Sequence, residues 1–183
     1  MKKILFLGMM LASVTSINAQ KFFTKDGTIH FFSNAKMEKI DATNNKASIV
    51  MDATSGAIEI AVLIKGFVFE NAFMGEHFNE TYMESDKFPK ANFKGKIENP
   101  ALVNVNVAGT YKAKVVGELT MHGVTKPVST DATFVVGGGA IATDTKFSVK
   151  ASDFDIKIPS DKTESISNVI EVTVKSKLTE LKK

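Results

Sequence analysis

Cysteine, tryptophan and arginine are all absent from this 183-residue chain, and the absences exclude classes of function. Without cysteine there is no disulfide, no lipid-modified N-terminal cysteine and no thiolate nucleophile. Without arginine all 23 basic residues are lysine. A planar fork for two-point contact with phosphate or carboxylate is therefore missing, which weakens any reading based on phosphoryl transfer or an arginine-held anion. Histidine is scarce too: His30, His77 and His122 are far apart, with no H-x-H or H-x-x-x-H pair. A catalytic zinc usually takes three protein ligands, two of them close together, so neither a metal site nor another cofactor is expected. No G-x-S-x-G elbow occurs. The net charge of +3 includes Lys2 and Lys3 near the start, leaving no concentrated basic face for nucleic acid.

Long apolar runs are also lacking. The first nineteen residues, "MKKILFLGMMLASVTSINA", combine two lysines, an apolar run from Ile4 to Ala12 and a small, polar end at Ala19. That is the anatomy of a secretory signal. The run falls short of the roughly 20 residues that span a bilayer, and no later segment approaches that length. Residues 1–19 are predicted to be a signal peptide and residues 20–183 a single exported domain.

What is present is period-two alternation, the mark of half-buried strands. In "YKAKVVGELTM" Tyr111, Ala113, Val115, Gly117, Leu119 and Met121 share one face. "VSTDATFVV", "IATDTKFSVKA" and "VIEVTVKSKL" repeat the design, and Gly137 to Gly139 and "HGVTKP" supply the reversals. "TIHFFS" and "KASIVMD" are weaker candidates. In "GAIEIAVLIKGFVF" the phase changes near Gly66, which predicts a bulge there. About eight or nine antiparallel strands predict an all-β sandwich or barrel.

Alternation stops at Asn71. Met74, His77, Phe78, Thr81 and Tyr82 follow a helical stripe, with Asn71 as N-cap and Pro89 as terminator. On that helix His77 faces the sheet while Glu76, Glu80 and Glu84 diverge from it, so the acids and the histidine form no joint site. His122 falls at a turn, in the outward phase of its strand. Asp153 and Asp155 in "SDFDIKIP" share a face if extended, and read as solvated strand-end aspartates. "GGGA" lies between strands rather than ahead of a helix, so it is no phosphate loop.

Fourteen phenylalanines stand beside many small inward residues, such as Ala91, Gly95, Gly117 and Ala132. Such a mixture either fills a barrel by interdigitation or leaves an apolar cavity. The residues alone leave both alternatives open.

The segments "FVFENAFMGEHFNETYMESDKFPKANFKGKI", "GELTMHGVTKPV" and "SDFDIKIP" resemble the YceI-like family of exported bacterial proteins. The likeness runs in order over nearly all of residues 20–183. It implies an eight-stranded, lipocalin-like antiparallel β-barrel with one short helix at about 71–84. It also implies an elongated cavity for a polyisoprenoid or related amphiphile, no known catalysis, and a periplasmic or secreted location. An isoprenoid quinone or a fatty-acid-like lipid belongs to the same class of partner; whether the protein forms a homodimer stays open. The early tryptophan usual in lipocalins proper is missing, so that likeness is architectural.

Given such a cavity, the inward phases nominate Phe67, Phe69, Phe78, Phe93, Tyr111, Leu119, Phe134 and Phe147 as its lining. His77 is the candidate for a head group at the mouth. Two other functions compete with lipid carriage. One is a lipid-modifying enzyme with His77 or His122 as general base. The other is a filled barrel acting through its surface in stress or interaction.

Overall fold

The structure, a computed structural model, describes residues 20–181; the proposed signal peptide lies outside them. Eight long strands form the barrel: β1 (Lys21–Asn34), β2 (Lys39–Asp52), β3 (Ala57–Leu63), β5 (Lys90–Ile97), β6 (Gly109–Met121), β7 (Val124–Gly137), β8 (Ala140–Lys150) and β9 (Val169–Glu180). A two-residue strand, β4 (Val68–Phe69), adds to β2 through Ala42↔Phe69 and Thr43↔Val68. All pairings are antiparallel, and β1 pairs with both β9 and β2. That double pairing closes the sheet and removes its free edges.

The hairpins follow from local backbone chemistry. His122 and Gly123 take φ of 52° and 77°, and Gly138 and Gly139 take 59° and 74°. Two successive left-handed residues make the tight turn whose twist matches the flanking strands. At the β2–β3 turn the backbone N–H groups of Ser55 and Thr54 each donate to Asp52 Oδ1 at 2.9 Å. Led by the Ser55 bond, these contacts hold the Asp52 carboxyl below its ordinary value.

Two expectations need correction. Gly66 ends a 3-10 turn, Ile64–Gly66, instead of forming a bulge. The cause is Asn44, almost fully buried on β2, whose Nδ2 donates to Leu63 O at 2.9 Å. A Cβ on residue 66 would lie 2.5 Å from that same nitrogen. The helix starts as expected, with Asn71 Oδ1 accepting from Phe73 N at 2.9 Å. However, α1 (Ala72–His77) passes into a π-helical stretch, Phe78–Tyr82, that ends well before Pro89. "SDFDIKIP" follows directly on the end of β8, and Asp153 and Asp155 are both exposed there, as expected. Residues Ala151–Phe154 form a 3-10 turn closed by Asp155 at φ 57°, so the two aspartates do not share a strand face.

The barrel has two unlike ends. At the end holding the β2–β3 and β7–β8 turns, Met51, Ile97, Phe134, Ile141 and Leu178 are among the most deeply buried side chains and fill the interior. The opposite end carries the β1–β2 and β6–β7 hairpins, the 64–89 segment with its helix, and the loop 151–168.

Candidate functional site

The interior opens toward that second end as a cavity of about 640 Å³. Its size lies in the range of small-molecule sites. Every long strand contributes to the wall, from Ile29 and Phe31 on β1 to Val172 and Val174 on β9. Seven of the eight nominated side chains line it: Phe67, Phe69, Phe78, Phe93, Leu119, Phe134 and Phe147. Tyr111 does not. It lies near the start of β6, toward the filled end, and its hydroxyl donates to Val107 O at 2.8 Å.

Four rings crowd the wall near the mouth. Phe78 stacks on Phe31 with centroids 5.3 Å apart, and stands 5.0 Å from Phe69 and 5.9 Å from Phe67. These are the separations at which aromatic pairs attract beyond simple burial. The π turn helps to place Phe78. Met83 N donates to Phe78 O, five residues back, so the last turn is wider than an α-turn and both Tyr82 and Met83 reach the cavity.

Lower down, Phe93 lies across two facing glycines. Cβ atoms built on Gly95 and Gly117 would come within 2.5 and 2.6 Å of its ring. Gly95 and Gly117 oppose each other in the register. Their missing side chains let the ring lie along the wall rather than across the lumen.

Polar groups inside are largely satisfied by the wall itself. Thr130 and Thr145 lie 3.0 Å apart; Thr130 donates to Lys146 O and Thr145 to Asp131 O. Thr143 and Ser176 pair at 2.6 Å. The ionisable wall residues are Glu38, His77, Tyr82 and Lys162, all on mouth segments. Burial raises the Tyr82 phenol above its ordinary value, and the Asp161 charge adds to the effect. The deep wall therefore offers mainly hydrocarbon contact, its threonine hydroxyls already bonded, with ionisable partners confined to the opening.

The histidines do not converge. His77 is exposed at the mouth, its ring 4.6 Å from Phe73 in an edge-on arrangement. His30 stands 3.6 Å from Asp41. His122, expected to point outward, has a side chain only 9% exposed. It packs against Phe88 and is bonded at both ring nitrogens, to Phe154 O at 3.0 Å and to Glu84 Oε2 at 2.9 Å. Neither nitrogen is free to act as a base toward the cavity. No cluster of three metal-ligating side chains occurs among the described residues, and no helix among them is long and apolar enough to cross a membrane.

Phe31, Met74, Met83, Ile158 and Ile166 also line the cavity without having been nominated. Phe31 was accessible to sequence reasoning, since Ile29, Phe31 and Ser33 share one strand phase. Ile156, Ile158 and Ile166 all come from the 151–168 loop, which has no strand or α-helix to set their phase.

Comparison with known proteins supplies the context. A sequence model described as the YceI-like domain matches residues 9–178. Over 82 residues the chain is 34% identical to a UPF0312 protein of Pseudomonas fluorescens, covering 44% of this chain and 40% of that protein. The matched part thus spans well under half of that curated relative. Among solved structures, a polyisoprenoid binding domain from Saccharophagus degradans implicated in plant cell wall breakdown has a TM-score of 0.77 at 14% identity, covering 90% of this chain and 100% of that one. BcnA of Burkholderia cenocepacia has 0.69 at 17%, covering 84% and 96%. The YCEI protein of Campylobacter jejuni has 0.59 at 20%, covering both chains fully. At these identities the likeness is one of fold.

Proposed function

We propose that this chain, which belongs to the YceI-like family, binds the tail of a long-chain amphiphile of polyisoprenoid, isoprenoid-quinone or fatty-acyl type and carries it in the periplasm. The observation that carries the reading is the combination of an interior cavity of about 640 Å³ with a mainly hydrocarbon wall and ionisable residues only at one opening. Such a site takes an apolar chain tail first and leaves the head group near Glu38, His77 and Lys162. The polyisoprenoid binding domain with the same fold and the signal-like start of the sequence support the ligand class and the compartment respectively. Of the two histidines that could serve as a base, His122 has both ring nitrogens engaged.

Each methylene moved from water into the wall contributes about 0.8 kcal/mol before ordering costs, or up to about fourfold in affinity. Affinity of the lipid-stripped protein should therefore climb with tail length until the cavity is full and then level off. Competition against an apolar fluorophore reads this directly. Ala132→Trp places a bulky ring in the lumen and should abolish binding while the barrel stays folded by circular dichroism. Affinity that ignores tail length, or survives in Ala132→Trp, would count against the cavity as the site.

A further inference from the structure

Among the described residues, three non-glycine residues hold a left-handed backbone: Glu84 at φ 42°, His122 at 52° and Asp155 at 57°. They lie on three different segments of the mouth, yet they meet at one point. His122 Nε2 pairs with Glu84 Oε2 at 2.9 Å, and Nδ1 lies 3.0 Å from the carbonyl of Phe154, the residue before Asp155. A carbonyl only accepts, so Nδ1 carries hydrogen and donates to it. Left-handed backbone at non-glycine residues is costly and persists where the surroundings over-determine it. Here one imidazole joins the 64–89 segment, the β6–β7 hairpin and the 151–168 loop.

The segment so tied forms one side of the cavity mouth. Neither α1 nor the π stretch contains a fully buried residue. At its start the segment is attached through the buried Ile64, whose N–H donates to Pro89 O at 2.9 Å, and through the two residues of β4. At its end Met83 and Ser85, 4% and 3% exposed, straddle Glu84. Beyond the helix and π stretch the next firm attachment is therefore the Glu84 end, where His122 pairs with Glu84 between two buried residues. Phe88 backs the imidazole with centroids 4.7 Å apart, and Lys87 Nζ stands 4.8 Å from the Phe88 ring and 3.9 Å from Glu84 Oε1.

We infer that His122 is a positioning residue for ligand passage: through Glu84 it fixes the 72–83 segment against the barrel mouth and so sets the rate at which a bound tail leaves. The ligand half of this inference rests on the tail-binding reading above; the positional half does not.

Asparagine tolerates the left-handed conformation, so His122→Asn and Glu84→Asn keep both backbone bends while shortening the reach between the two side chains. With the full chain, two readouts apply. The first is amide hydrogen exchange of the lipid-free protein. Exchange over 72–83 should rise in both variants while β6 to β9 stay protected, and the double variant should add little to the larger single effect. The second is the exit rate of N-phenyl-1-naphthylamine, an uncharged apolar dye. It should rise by about tenfold, the scale of one lost hydrogen bond to a charged group. Lys36→Ala, which breaks the exposed mouth pair with Glu164, should change neither readout.

Unchanged exchange over 72–83, additive effects of the two substitutions, or a uniform loss of protection throughout the barrel would each overturn the inference. If the parent protein takes up no dye, the tail-binding reading fails on its own, and the exchange pattern still decides whether His122 positions the mouth.

Discussion

A side chain that is missing can shape a cavity as much as one that is present. Gly95 and Gly117 let the Phe93 ring lie along the wall, and a methyl group at residue 117 would meet that ring at 2.6 Å and the Lys94 carbonyl oxygen at 2.5 Å. Gly117→Ala is expected to cost about 1 to 3 kcal/mol through overpacking and to turn the ring into the lumen. Denaturant unfolding should report the first effect, and reduced capacity for long tails the second. Tyr82 gives a second residue-scale expectation. Burial, aided by Asp161, raises its phenol, so the folded state keeps a proton that the unfolded chain releases near pH 10. The stability this contributes is present below that pH and is lost as pH rises through the folded value. In Tyr111→Phe, absorbance titration of the remaining phenol should have its midpoint above that of the denatured protein. At this scale most of the wall was legible in the sequence, because inward phase on a strand identifies a lining candidate. Tyr111 shows the boundary of that logic, since phase gives the face of the sheet but not the height along the barrel.

Among the elements, strands β6 to β9 were legible because one face meets water and the other the interior, which produces clean alternation. Strands β1 and β2 were only partly visible. Register shifts around Gly27 interrupt β1, and β2 places the polar Asn44 inside. The helix was legible in its cap and its apolar stripe, but its π turn was not. One extra residue in a turn leaves the composition unchanged and only rotates the residues after it. The 3-10 turn at Ile64–Gly66 was hidden for another reason: it depends on Asn44, twenty or more positions earlier in the chain. Asn71→Ala tests the helix as an element. Loss of the cap should cost the helix about 1 kcal/mol, appearing as faster amide exchange over 72–77 with little change in the barrel's global unfolding midpoint. Equal loss of protection in β6 to β9 would mean that the helix and the barrel unfold as one unit.

For the whole molecule, closure and hollowness are properties of distant contacts. The same alternating strands could build a sandwich, and only the pairing of β1 with both β2 and β9 makes a barrel. Whether facing side chains meet across the lumen is equally non-local. They do so at one end, where Phe134, Ile141 and Leu178 pack, and leave a cavity toward the other. The interior is therefore not filled, as a barrel working only through its surface could be. Filled at one end, mainly hydrocarbon within and ionisable only at the rim, the interior has the form that the proposed tail binding requires.

Native mass spectrometry of the full chain, expressed in a bacterial host and gently purified, tests this form most directly. The account predicts a species heavier than the bare polypeptide by the mass of one long-chain lipid, released on activation and absent from Ala132→Trp. A spectrum showing only bare polypeptide, together with a stripped protein that takes up neither prenyl nor acyl chains, would contradict it.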